Sequence, residues 1–249
     1  MRAAPARPGS EVVWHDVECG GYGADLPLWE RLAADSGGGG LLDLGAGTGR
    51  VALHLAACGH SVTAVDHDPR LLAALAGRAA ERGLALTTEQ ADIRELALGR
   101  RYALIIAPMQ LAHLLGGAAG RTRALHAIRR HLSPGGRFYA ALLDDSRPLS
   151  SGTPNPLPDV REIGGWVHSS LPLEVRPSPG GVEIERLREL VSAQGERREQ
   201  RVSVHLDELT IDRFEREARA AGLLVLPRLA VAETTDHVGS VLACLGSPE

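Results

Sequence analysis

The sequence predicts an α/β fold built on a mostly parallel sheet, and three observations carry that prediction. Apolar runs short enough to be strands alternate with amphipathic helical stretches between residues 41 and 143. The first run, Leu41-Leu42-Asp43-Leu44, breaks into Gly45-Ala46-Gly47-Thr48-Gly49, three glycines at alternate positions ahead of a helical pattern. The β-branched stretch Ser61-Val62-Thr63-Ala64-Val65 then ends in Asp66, completing one βαβ unit with a glycine turn at its crevice.

Composition narrows the class. The chain has 249 residues and a formal charge of −4, enough for one full α/β core and without the basic excess of a nucleic-acid binder. All 27 basic residues are arginine and they are scattered; Arg197-Arg198 with Arg201 is interrupted by acids. No apolar run is long enough to span a membrane. Residues 1–10 lack the apolar stretch of a signal peptide, so the expectation is a disordered tail on a cytoplasmic protein. Cys19, Cys58 and Cys244 are odd in number and far apart, which implies neither a disulfide framework nor a structural zinc site, and no metal is expected.

Taken in order, Leu26, Leu28, Trp29, Leu32 and Ala33 have the spacing of a helix packed on the sheet. Trp14, His15, Tyr22 and Asp25 read as lying before or at its start, in a stretch containing Gly20-Gly21-Tyr22-Gly23. Tyr22 and Trp14 are candidates to touch a ligand or, alternatively, to pack in the core. Residues 37–40, all glycine, connect to the first strand. The glycine turn suits a ligand resting on main chain, and Asp66 has the acceptor geometry for both hydroxyls of a ribose.

After Asp66, His67-Asp68-Pro69 leads into a helix over 70–82 closed by Gly83. A strand over 84–88 delivers Glu89-Gln90-Ala91-Asp92-Ile93. Another over 102–107 ends in Pro108-Met109-Gln110, ahead of a helix carrying His113. A helix over 121–131 precedes Leu132-Ser133-Pro134-Gly135-Gly136, a turn into a strand over 138–143 that delivers Asp144 and Asp145. Residues 146–159 are Pro- and Ser-rich and read as irregular. Strands around 166–171, 182–191 and 201–206 then form an antiparallel insert. A helix opens at Asp207-Glu208-Leu209 and ends near Gly222. Strands over 223–231 and 240–245 follow, with His237 in the loop between them.

Asp43 with the G-x-G-x-G of Gly45, Gly47 and Gly49, then Asp66, Ala91-Asp92-Ile93 and Leu-x-Pro-Gly-Gly, together resemble the class I S-adenosylmethionine-dependent methyltransferases of the small-molecule type. The dinucleotide fingerprint is spaced differently, and Arg50 stands where it requires glycine. The resemblance implies a Rossmann-like sheet of seven strands, mostly parallel, with helices on both faces, plus the antiparallel β insert. It divides one domain into an N-terminal tail and lid helix (1–36), a cofactor-binding core (37–146), an insert or cap (147–206) and a C-terminal helix with the last two strands (207–249).

It also implies S-adenosyl-L-methionine as cofactor and methyl transfer to a small molecule, with bacterial secondary metabolism the expected setting. The cofactor-binding residues it implies are Tyr22, Asp43, Gly45, Ala46, Gly47, Gly49, Asp66, His67, Ala91, Asp92, Ile93 and Pro108. Asp92 would accept from the adenine amino group; its alternative is an ordinary helix N-cap. Ala107-Pro108-Met109-Gln110 departs from the Asn/Asp-Pro-Pro-aromatic of enzymes methylating adenine or glutamine amino groups, which argues against those substrates.

A sulfonium is already electrophilic, so alignment and exclusion of water are the main demands, and a base is needed only for an acidic acceptor. His237, beside Thr235 and Asp236, is the preferred base; His113 ranks next, with contact to the cofactor as its alternative; His168 is a third candidate, and Asp145 is a carboxylate partner. For each histidine the alternative is a packing or surface role. A non-methylating reaction with the same cofactor and a non-catalytic regulator are the competing functions. The expected partner is a small molecule, with neither nucleic acid nor membrane involved.

Overall fold

The computed structural model describes residues 9–143, 157–231 and 239–248. Two helices, α1 (Glu11–Glu18) and α2 (Leu26–Asp35), precede β1 (Leu41–Leu44), α3 (Arg50–Ala57), β2 (Val62–Asp66), α4 (Pro69–Glu81) and β3 (Leu86–Gln90). After a 3-10 turn at Ile93–Glu95 come β4 (Tyr102–Ala107), a 3-10 turn at Leu111–Leu114, α5 (Gly117–His131) and β5 (Leu132–Leu143). Four strands follow, β6 (Asp159–Ile163), β7 (Trp166–Ser178), β8 (Gly181–Ser192) and β9 (Arg197–Asp207). The chain returns through α6 (Ile211–Ala220), β10 (Leu224–Val231) and β11 (Ser240–Gly246).

The large sheet runs β10-β11-β5-β4-β1-β2-β3. Strands β1 to β5 pair in parallel, and β11 lies antiparallel between β5 and β10. Residues of β4 alternate between two cores, as a pleated strand covered on both faces must. Ile105 and Ala107 face α5 and α6 with Phe138 and Phe214; Leu104 and Ile106 face α2 to α4 with Trp29, Leu55 and Leu75. Trp29 is fully buried, and its indole N–H donates to Asp25 at 2.7 Å, so removing it would cost on the order of 3–5 kcal/mol. The expected seven-stranded sheet and antiparallel insert are both present. Among the described residues no helix is long and apolar enough to cross a membrane.

The elements depart from the sequence reading in four places. Residues 11–18 are a helix rather than part of a glycine-rich approach, and the small sheet has a fourth strand, β6. The Pro134-Gly135-Gly136 segment bulges within β5: Tyr102 pairs with Leu132 and Leu104 with Arg137, and Gly135 takes φ +69°. Helix α6 begins only at Ile211, where Thr210 caps it by accepting the Arg213 N–H at 3.2 Å.

Asp207 closes β9 instead of opening that helix, and there it ties the small sheet to the core. Its carboxylate accepts the Gly117 N–H at 2.6 Å and meets Arg121 at 3.2 Å, while Arg121, 1% exposed, also pairs with Glu217 at 2.7 Å. Cutting such a buried network on one side costs about 3–5 kcal/mol.

Candidate active site

Leaving β1, the chain turns through Gly45, Gly47 and Gly49, with φ of +69°, +54° and +94°. At Gly47 the need for glycine is steric as well, since a Cβ there would collide with the His15 ring; at Gly49 it would meet Leu75 at 2.7 Å. Asp66, at the end of the neighbouring strand, accepts the Gly47 N–H at 2.8 Å and the Asp68 N–H at 2.9 Å. The backbone stitches the same edge together, Ala46 N–H to the Val65 carbonyl and Ala91 N–H to the Asp66 carbonyl. Gly45, Ala46, Gly47, Asp66, Ala91, Asp92 and Ile93 therefore gather at the carboxyl ends of β1, β2 and β3, where open α/β sheets bind ligands. His67 is 85% exposed at that rim, 3.2 Å from Asp66.

Asp43 lies beneath the turn, 1% exposed, and its Oδ1 has no hydrogen-bond partner among the described residues. Burial pushes its carboxyl up to about 7, opposed by Arg50 and assisted by Asp66. A buried carboxyl with one unpartnered oxygen, under a main-chain cradle, is suited to a cationic, polar ligand resting on that cradle. Asp92 caps the 3-10 turn, accepting the Arg94 N–H at 2.9 Å and pairing with its guanidinium at 2.6 Å. Hydrogen bonding from Arg94 holds its carboxyl down to about 2. The capping geometry is thus realised, and Arg94 makes two contacts with each carboxylate oxygen, so a ligand donor at Asp92 would have to share an oxygen with Arg94 or displace its guanidinium.

Arg50, in the dinucleotide glycine position, is committed elsewhere. It pairs with Asp25 through both guanidinium nitrogens, donates to the Tyr22 carbonyl at 3.0 Å and lies 5.2 Å from the centre of the Tyr22 ring. Tyr22 is thereby held beside the N-terminus of α3.

Helix α1 supplies residues that the sequence reading did not assign. The His15 ring covers Gly47, with Nδ1 3.2 Å from the Thr48 hydroxyl. That hydroxyl donates to Asp16 at 2.7 Å, so Nδ1 carries the proton, and burial holds the imidazole below its usual pKa. Asp16 also pairs with Arg78 of α4. On the opposite face Trp14 packs with Val13, Val17 and Ile163, edge-on to His168 at 5.3 Å and under Arg188. Trp14 is therefore a core residue between α1 and the small sheet, which corrects its candidacy as a ligand contact.

At the end of β4, Pro108 is buried, and Met109 and Gln110 take φ of +58° and +54°. Left-handed backbone at two non-glycine residues costs roughly 1–2 kcal/mol each and concentrates at functional edges. It lays Leu111 over Gly45, 3.0 Å from where a Cβ would stand.

The histidine candidates fare differently. His113 is buried, with Nδ1–H donating to the Asp207 carbonyl at 2.9 Å and Nε2 accepting the Leu143 N–H at 3.3 Å. Both nitrogens are spent on backbone, and burial depresses its pKa, so it braces β5 against β9 and has no lone pair for a substrate. His168 is likewise engaged, with the Trp166 carbonyl and the Gly9 N–H. His237 and Asp145 lie outside the described residues.

Comparison with known proteins agrees with this geometry. Residues 41–136 match the methyltransferase domain family. Over 96 residues the chain is 38% identical to Hemagglutinin 1 of Eikenella corrodens, a stretch covering 38% of this chain and 31% of that protein. The chain thus spans less than a third of that relative's length.

Three solved structures share the fold. DesVI of Streptomyces venezuelae is 18% identical with a TM-score of 0.77, covering 98% of this chain and 100% of that one. The sugar N-methyltransferase KedS8 of Streptoalloteichus is 21% identical with a TM-score of 0.77, over 100% and 97%. The S-adenosylmethionine-bound amino pentose methyltransferase CalS10 of Micromonospora echinaspora is 19% identical with a TM-score of 0.72, over 97% and 99%. Residues 41–136 thus match a methyltransferase domain, in a chain that shares its fold with these solved methyltransferases.

Proposed function

We propose that this protein transfers a methyl group from S-adenosylmethionine to a small-molecule acceptor, an amine-bearing sugar in bacterial secondary metabolism being the class to test first. The observation that carries the cofactor reading is the buried Asp43 beneath the Gly45–Gly47 cradle, one of its carboxyl oxygens without a partner among the described residues, with Asp66 turned into the same edge. Asp43 suits the amino end of the cofactor, Asp66 its ribose hydroxyls, and Asp92 with Ile93 its adenine. The sulfonium supplies an electrophilic methyl, so the chain's own residues have three tasks: binding, alignment and exclusion of water. Helix α1, laid over the turn by His15 and Asp16, supports the last of these.

The acceptor class rests on the printed descriptions of KedS8 and CalS10, a sugar N-methyltransferase and an amino pentose methyltransferase. An amine arrives protonated and must lose a proton before it attacks. His237 is the proposed base, with Asp145 as its carboxylate partner; His113 is set aside because both its nitrogens are engaged. The test is calorimetric titration with S-adenosylmethionine and S-adenosylhomocysteine, followed by transfer of labelled methyl to a panel of amino sugars. Saturable binding and labelled product are expected. Binding without transfer to any amine overturns the acceptor assignment, and no binding of either ligand overturns the cofactor assignment.

A further inference from the structure

Away from the glycine turn, His54 and Cys58 sit four residues apart at the C-terminal end of α3, so they share a face of the helix. Glu30 of α2 reaches the same point. His54 Nε2 lies 3.2 Å from Glu30 Oε2 and 4.0 Å from Cys58 Sγ, and the three ligand atoms all fall within 4.8 Å of one another. We propose that Glu30, His54 and Cys58 form a surface binding site for a zinc-class divalent cation, bridging α2 and α3.

As a hydrogen-bonded cluster the carboxylate accepts from both His54 and Cys58, and the same convergence is what a metal ion requires. Both the His54 ring nitrogen and the Cys58 thiol are directed at the Glu30 carboxylate, so three donor atoms of different chemistry converge on one point. One cation at the centre satisfies all three. With zinc bonds of about 2.3 Å to sulfur and about 2.0–2.1 Å to nitrogen and oxygen, a tetrahedron needs about 3.3 Å between N and O and about 3.5 Å between S and N. The N–O distance already matches, and the S–N gap must close by about 0.5 Å, within reach of a side-chain adjustment.

The donor set of one sulfur, one imidazole and one carboxylate selects zinc over magnesium or calcium, which take oxygen ligands. Glu30 and His54 retain 49% and 30% side-chain exposure and Cys58 is exposed, leaving water the fourth position. On binding, the Zn–S bond forms as the thiol proton passes to solvent. The ion would tie α2 to α3 a second time, beyond the Asp25–Arg50 pair at their N-terminal ends.

This proposal stands apart from the methyl-transfer reading, and its test needs no substrate. The reduced, chelator-stripped full chain is titrated with zinc chloride in a calorimeter, alongside Cys58→Ser, His54→Ala and Cys19→Ser. In parallel, iodoacetamide labelling of Cys58 is followed by peptide mass, with and without zinc. One saturable site is expected, weakened roughly tenfold or more by Cys58→Ser and by His54→Ala and untouched by Cys19→Ser, with zinc slowing Cys58 alkylation. Zinc binding that survives both ligand substitutions unchanged, absence of a saturable site, or alkylation indifferent to zinc would each overturn the assignment.

Discussion

Replacing Asp43 by asparagine should make the ligand-free protein more stable and the cofactor bind less well, and the first effect should depend on pH. The folded carboxyl is pushed up to about 7 from an ordinary 3.8. At about 1.36 kcal/mol per pH unit, that gap caps the cost of carrying the buried charge at about 4 kcal/mol above pH 7. Asparagine removes the charge but places an amide donor where Oδ1 now has no partner, which costs about 1–3 kcal/mol. A net gain of about 2 kcal/mol at pH 8 follows, or roughly 4–8 °C in melting temperature for a chain of this size.

The sign runs in one direction. A folded pKa raised above the unfolded one stabilises below the unfolded value and loses that contribution as pH rises through the folded value. The wild-type deficit thus shrinks as pH falls from 7 toward 4, and the advantage of Asp43→Asn should vanish by about pH 5. Thermal melts at pH 5 and pH 8, paired with calorimetric titration of S-adenosylmethionine, check both halves. A stability difference that does not change with pH would refute the buried-charge argument. Unchanged cofactor affinity would remove Asp43 from the site.

Three further substitutions address separate parts of the reading. Asp66→Ala removes the acceptor of the Gly47 N–H and the proposed ribose contact, so cofactor affinity should fall by roughly tenfold or more in calorimetry; equal affinity would take Asp66 out of the site. Gly47→Ala drives a methyl into the His15 ring at a left-handed position, and melting should show a loss of at least about 2 kcal/mol together with faster proteolysis of residues 11–18. A neutral Gly47→Ala would mean that α1 does not rest on the turn. His237→Ala should leave cofactor affinity intact and slow transfer by roughly 100-fold or more; a wild-type rate on the true acceptor would return His237 to the surface.

The sheet was legible because its signals are local. Buried parallel strands read as apolar runs, the turn carries glycines that no other residue replaces, and Asp66 follows at fixed spacing. What escaped depends on contacts between distant parts of the chain. Val13, Trp14 and Val17 carry a helical pattern, but eight residues ahead of a glycine pair are too few to stand out from a loop. Strand β6 has alternating half-exposed residues and follows a proline-rich stretch, so its pairing with β7 had no sequence signature. Nothing in Met109-Gln110 announces left-handed backbone. The bracing role of His113 needs the β9 terminus, more than ninety residues further on, to be recognised.

The N-terminal helix has two allegiances, and this sets the unit in which the molecule can be recombined. Glu18 of α1 is paired with Arg188 and accepts from Ser170, both in the small sheet, whereas Asp16 and His15 are held by Arg78 and Thr48 of the nucleotide-fold half. A chimera that imports a foreign small sheet while keeping the native residues 11–18 would strand Glu18 opposite the wrong surface. Importing the foreign first helix along with its sheet would instead break the Asp16–Arg78 seam. Exchange of the small sheet between such proteins therefore calls for three coordinated pieces: the small sheet, the first helix, and the two core positions, Thr48 and Arg78, that receive it.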